Sequence, residues 1–161
     1  MTGSSTGVGS GFDCATIKYD STGQEQWVAR YNGSANLDED CVGIALDASG
    51  DVFVAGSSQN SGTNYDYLTI KYDSAGQQQW VANYNGPANL DDTAVGIGLD
   101  TLGNVYVTGT SLELWNGRAV GDYATVKYDS AGQRQWVARD WGSTWVAKLM
   151  PLQLTLPEMS M

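Results

Sequence analysis

Apolar and polar residues alternate with a period of two over short runs, and no stretch carries a helical period, so the chain reads as strands throughout. From Cys14 to Tyr19, Ile17 and Tyr19 share one face while Thr16 and Lys18 share the other. From Gln26 to Tyr31, Trp27, Ala29 and Tyr31 alternate against Gln26, Val28 and Arg30. Val42-Gly43-Ile44-Ala45-Leu46 alternates large with small residues, which suits a strand squeezed between neighbours on both faces. Val52-Phe53-Val54-Ala55 is a short apolar run of the fully buried type. The strands are separated by one recurring turn, Asp-x-x-Gly, at Asp20/Gly23, Asp47/Gly50, Asp73/Gly76, Asp100/Gly103 and Asp129/Gly132. Asp opens a type I turn and Gly in the fourth place takes the left-handed conformation that closes a hairpin.

The pattern repeats. TIKYDSTGQEQWVARYNG from Thr16 returns as TIKYDSAGQQQWVANYNG from Thr69 and, in part, as TVKYDSAGQRQWVAR from Thr125. Ile17 and Ile70 stand 53 residues apart (70 − 17), and Val126 follows Ile70 by 56 (126 − 70). A near-fixed period of this size belongs to a repeat architecture whose units bury their faces against one another. The units are assigned as residues 13–65 and 66–121, a partial third at 122–139, a remnant of a preceding unit at 1–12, and a non-repeating tail at 140–161. The longer second period lies in LELWNGRAVG, read as an enlarged loop within Ser111–Gly121, with Ser57–Tyr65 as its counterpart.

Four strands per period of this length make a β-propeller blade. The fold class expected is therefore all-β: repeated four-stranded antiparallel blades in an incomplete ring of about three. The strings YDYLTIKYDSAGQQQW and VGIALDASGDVFVAGSS resemble the SBBP repeat of seven-bladed β-propellers, a relative of the NHL repeat. The resemblance covers residues 1 to about 139 and implies that the Ile44–Leu46 strand lines a central channel while the Trp27 and Trp80 strands lie outermost. It also implies kinship with bacterial secreted or surface proteins, although no signal peptide opens this chain.

Charge and composition narrow the chemistry. The net charge of −10 repels phosphate backbones and anionic membrane surfaces, so neither nucleic acid nor membrane is an expected partner. Histidine is absent, which removes the usual general base and the commonest metal ligand. Cys14 aligns with Tyr67 and Tyr123, and Cys41 with Ala94, so both read as small apolar core positions and not as a disulfide framework.

Asp38, Glu39 and Asp40 in one unit, and Asp91 and Asp92 in the next, gather on the loops entering the channel strand, where convergent carboxylates could hold Ca²⁺. No Asp-x-Asp-x-Asp-Gly loop accompanies them, and adjacent acids on a loop are ordinarily solvated. Trp27, Trp80 and Trp136 recur at one strand position, as blade-to-blade packing requires. Trp115 stands outside the repeat and is the better recognition candidate, with Asn32 and Asn85 of the Asn-Gly loops as hydrogen-bonding groups for a glycan. No carboxylate pair is marked out by spacing, and no enzyme is expected. The first reading is a non-catalytic structural or protein-interaction module. A glycan-binding module and a calcium-stabilised surface domain are the alternatives. Fewer repeats than a closed ring of about four to eight blades leave edges and apolar faces open, which predicts self-association.

The tail carries one further expectation. Gln153–Met161, encoded with suitable codons and read one base earlier, translates as Ala-Val-Asp-Ser-Ala-Gly-Asn-Val-Tyr, the motif seen at Ala45–Phe53 and Gly98–Tyr106. A frameshifted, irregular tail is expected from about residue 140, with Pro151 and Pro157 removing ladder donors.

Overall fold

The computed structural model describes residues 1–7, 11–62 and 64–140. These form eleven strands: β1 (Thr2–Thr6), β2 (Phe12–Tyr19), β3 (Glu25–Tyr31), β4 (Glu39–Leu46), β5 (Val52–Gln59), β6 (Tyr65–Tyr72), β7 (Gln78–Tyr84), β8 (Asp92–Leu99), β9 (Val105–Trp115), β10 (Arg118–Tyr128) and β11 (Arg134–Asp140). All pairs are antiparallel, and they make three sheets, β1-β2-β3, β4-β5-β6-β7 and β8-β9-β10-β11, referred to as sheets 1, 2 and 3. The all-β reading and the meander order hold. Asp140, assigned above to the irregular tail, instead closes β11, and the rest of that expected tail, residues 141–161, lies outside the described residues.

Each Asp-x-x-Gly turn forms, and one carboxylate organises it. In the first, the Asp20 side chain accepts from the Thr22 and Gln24 amides, and Gly23, at φ +83°, donates to the Asp20 carbonyl. The same bonds recur about Asp47, Asp73, Asp100 and Asp129. Asp and Gly hold the same two places in every such turn, so the register of the hairpins it closes repeats from unit to unit.

Hydrogen-bonded sheets and sequence period run out of phase. The strands of unit 13–65 divide between sheets 1 and 2, so each junction between sheets is crossed by residues close in the chain. Two hydrophobic clusters fill the junctions. Between sheets 1 and 2 lie Cys14, Cys41, Val52, Val54, Leu68, Ile70 and Tyr72, flanked by Trp27 and Tyr31. Between sheets 2 and 3 lie Phe53, Tyr67, Tyr84, Val105, Val107, Val126 and Tyr128, flanked by Trp80. The edge strands β4 and β8 approach closely, because a Cβ on Gly43 would stand 3.1 Å from the Ile97 side chain. Bulges at Cys41/Gly43 and Ala94/Gly96 turn Val42 and Val95 out to solvent.

Two expectations are corrected. Cys14 and Cys41 are buried as expected but are joined in a disulfide, their Cα atoms 5.4 Å apart. They come from β2 and β4, facing strands of neighbouring sheets, so two positions that look unrelated along one unit meet across a junction. The expected loop Ser111–Gly121 is a β-hairpin: β9 and β10 each run eleven residues and meet at Asn116-Gly117, both at positive φ. Asn-Gly suits a two-residue turn whose twist matches the flanking strands, so the insertion lengthens the strands and leaves no open loop.

Candidate functional site

The recurring tryptophans make the most regular contact in the molecule. Trp27 of β3 lies over the β6–β7 turn of sheet 2: its indole N–H donates to the Ser74 carbonyl at 3.2 Å and its ring centroid stands 6.2 Å from that of Tyr72. Trp80 of β7 repeats this on sheet 3, donating to the Ser130 carbonyl at 3.2 Å and standing 6.3 Å from Tyr128. The glycine of each turn is what lets the ring in. A Cβ on Gly76 would come within 2.6 Å of the Trp27 ring, and one on Gly132 within 2.7 Å of Trp80. The turn therefore serves twice, closing its own hairpin and seating the indole of the sheet before it.

At the strand entrances the candidate acids face inward or back across a junction. Asp38 accepts from the Phe12 amide at 2.8 Å, and Asp91 from the Tyr65 amide at 3.0 Å, so each ties the connection into its own sheet to the preceding one. Asp40 accepts from the Ser4 hydroxyl at 2.6 Å. Glu39 and Asp92 are fully buried at matching positions. Glu39 accepts from Ser58 at 3.0 Å, and Asp92 from the Gly86 amide at 2.5 Å. Burial raises both carboxyls above the ordinary range, against the hydrogen bonds that pull them down. Among the described residues, no three His, Cys, Asp or Glu side chains are placed to hold a metal ion together.

The Asn-Gly loops are tied within themselves. Asn32 donates to the Asn36 side chain at 2.7 Å and Asn85 to the Asn89 side chain at 2.6 Å, with Asn36 and Asn89 both at positive φ. A Cβ on Gly33 would meet the Glu39 carboxylate at 2.6 Å, so that glycine permits the backbone to approach the buried acid. Trp115 ends β9 opposite Arg118 and is 42% exposed. Its hairpin runs four residues, Leu112–Trp115, past the Asp92–Ser111 pair that opens β8.

Sequence reasoning missed Arg139. From β11 it donates to the Tyr84 hydroxyl and the Ser111 hydroxyl, both at 2.9 Å, and it pairs with Asp122 at 3.2 Å and Glu113 at 3.5 Å. Arg30 occupies the same repeat position and donates to Ser5, the counterpart of Ser111. An arginine three residues after a repeated tryptophan was the available signal.

Antiparallel meanders of three or four strands, stacked face to face with Trp27 and Trp80 each seated in a turn of the following sheet, are blades of a β-propeller. The family comparison agrees: residues 79–113, from within β7 to within β9, match the SBBP beta-propeller repeat. No curated protein matches the chain.

Proposed function

We propose that the chain is a non-catalytic β-propeller module with a structural and protein-interaction role. The observation that carries this reading is the seated tryptophan, which joins each blade to the next through the same bonds. The acids and asparagines at the strand entrances spend hydrogen-bonding atoms on the blade junctions and on their own loops. Trp80→Ala should destabilise the fold by about 3–5 kcal/mol, the usual cost of deleting a large packed ring, and should expose the amides of β9 and β10 to exchange. A substrate whose turnover is abolished by Glu39→Gln, in a variant that still unfolds cooperatively and no less stably than the wild type, would overturn the non-catalytic reading.

A second reading rests on Trp115, an exposed indole on a hairpin that, among the described residues, sheet 3 alone carries. Such a ring can stack on a sugar face, and selective glycan-array binding lost in Trp115→Ala is its test.

A further inference from the structure

Each blade has two unlike faces, and the positions that are buried at the junctions are exposed on the two outer sheets. Tyr67 is 0% exposed where sheet 2 packs on sheet 3, while its counterpart Tyr123 on the far face of sheet 3 is 67% exposed. Tyr72 and Tyr128, in the seats of Trp27 and Trp80, are each 2% exposed, while Tyr19 of sheet 1 is 43% exposed. Sheet 3 thus carries a tryptophan, Trp136, 43% exposed, that is seated on no turn of another described sheet. Sheet 1 carries the turn Asp20–Gly23 with nothing within 4 Å of where a Gly23 Cβ would stand. In the other two seats that space holds the indole.

Resting on the proposed blade-stacking role, we infer that this protein associates head to tail with a second copy of itself. The outer face of sheet 3, with Tyr106, Tyr123 and Trp136, docks on the outer face of sheet 1, with Ile17, Tyr19 and Val28. The Trp136 indole takes the place above Gly23 and donates to the Ser21 carbonyl of the second copy, as Trp27 does to Ser74 and Trp80 to Ser130.

The charges agree with this pairing. At the junction of sheets 2 and 3, Arg139 reaches the Tyr84 hydroxyl across the interface. In the docked pair the arginine position is Arg30 and the tyrosine position is Asp140, both exposed, so a guanidinium-to-hydroxyl contact becomes an ion pair. Arg30 is already held by Ser5 in the way Ser111 holds Arg139. The contact joins two different surfaces, so it propagates until the rotation closes a ring.

Analytical ultracentrifugation of the full chain, of Trp136→Ala and of Gly23→Asn tests the association. Asparagine is among the side chains that best tolerate positive φ, and a Cβ at position 23 meets nothing within 4 Å in the single chain, so the substitution puts a side chain into the vacant seat. Each variant alone should associate about 30-fold or more weakly than the wild type, the scale of losing a buried tryptophan anchor. Mixed in equal amounts they should form a 1:1 pair and grow no further, because Trp136→Ala keeps the seat and Gly23→Asn keeps the ring. A wild type that stays monomeric, or variants that associate as it does, or a mixture that fails to pair, overturns the inference. Trp80→Ala run alongside separates the two levels: if it leaves stability unchanged, the blade-stacking role itself has failed.

Discussion

The two junctions share a frame and differ in what fills it. Both seat an indole over a glycine turn, both latch an aspartate to the preceding sheet, and both bury an acid beside an Asn-Gly loop. At the place where sheet 1 meets sheet 2 with the Cys14–Cys41 bond, sheets 2 and 3 have Tyr67 and Ala94. Tyr67 stacks edge-on against Tyr84, with centroids 5.4 Å apart, and donates to the Ala124 carbonyl across the junction. Arg139 adds a fork of polar contacts there, whereas the corresponding residue facing sheet 1 is Asn83. The comparison teaches that the blade frame fixes spacing, while the filling is free to be covalent or to be aromatic and ionic, provided no large void is left.

Of the two fillings, breaking the covalent one should have the larger effect. Reduction, or the Cys14→Ser/Cys41→Ala pair, should lower stability by about 3–4 kcal/mol, since the bond closes a loop spanning 27 residues. Amide exchange should quicken at Leu68 and Ile70 and leave Val105 and Val126 nearly unchanged. Equal quickening at both junctions would mean that the bond acts on the whole molecule. Arg139→Leu should do the reverse at about 2–3 kcal/mol, below the figure for a fully buried pair because Arg139 keeps some exposure. There the β9 and β10 amides should open first.

The acids sharpen the comparison on a smaller scale. Burial raises the Glu39 carboxyl, so the folded state binds a proton more readily than the unfolded chain. Its contribution is fully present below the unfolded value and is lost as pH rises through the folded one. Glu39→Gln keeps an acceptor for Ser58 and removes that loss, so it should melt at a higher temperature than the wild type at pH 7. The gain should vanish at acid pH in paired thermal melts. Asp100 has the opposite sign: hydrogen bonds from Asn104 first of all, then Tyr106 and the Leu102 amide, hold its carboxyl down at about 2. Its stabilising effect is present above the unfolded value and fades as pH falls toward about 2. Asp100→Asn should flatten the acid limb of the melting curve slightly, the smallest change of the set.

The parts of this frame that were legible in the sequence are those written locally. The Asp-x-x-Gly turns and the alternation of Ile17, Tyr19, Trp27 and Tyr31 each depend on residues a few positions apart. The disulfide was hidden because aligning the units compares Cys14 with Tyr67 and Cys41 with Ala94, one column at a time, whereas the bond joins two columns across a junction. Its trace was that both cysteines replace members of one core cluster within the same unit. The β9–β10 hairpin was hidden by its length, although Asn116-Gly117 stood in plain view between strand-like residues. Among the acids, type and position were legible, but the direction of each carboxylate was not: Asp38 and Asp91 face backbone amides contributed by another sheet. The roles of Trp27 and Trp80 in packing followed from their recurrence, while the seat that receives them became visible only with the turns of the next blade in place.

The central claim, that a blade is held by its tryptophan in the next blade's turn, is tested most directly by comparing Trp80→Ala with Trp136→Ala in denaturant unfolding at a concentration where the wild type is monomeric. Both rings also touch an aromatic of their own sheet, Phe53 for Trp80 and Tyr106 for Trp136, so the difference between the variants isolates the seat. The account predicts a loss of about 3–5 kcal/mol for Trp80→Ala and under about 1 kcal/mol for Trp136→Ala. Equal losses in the two variants would contradict it.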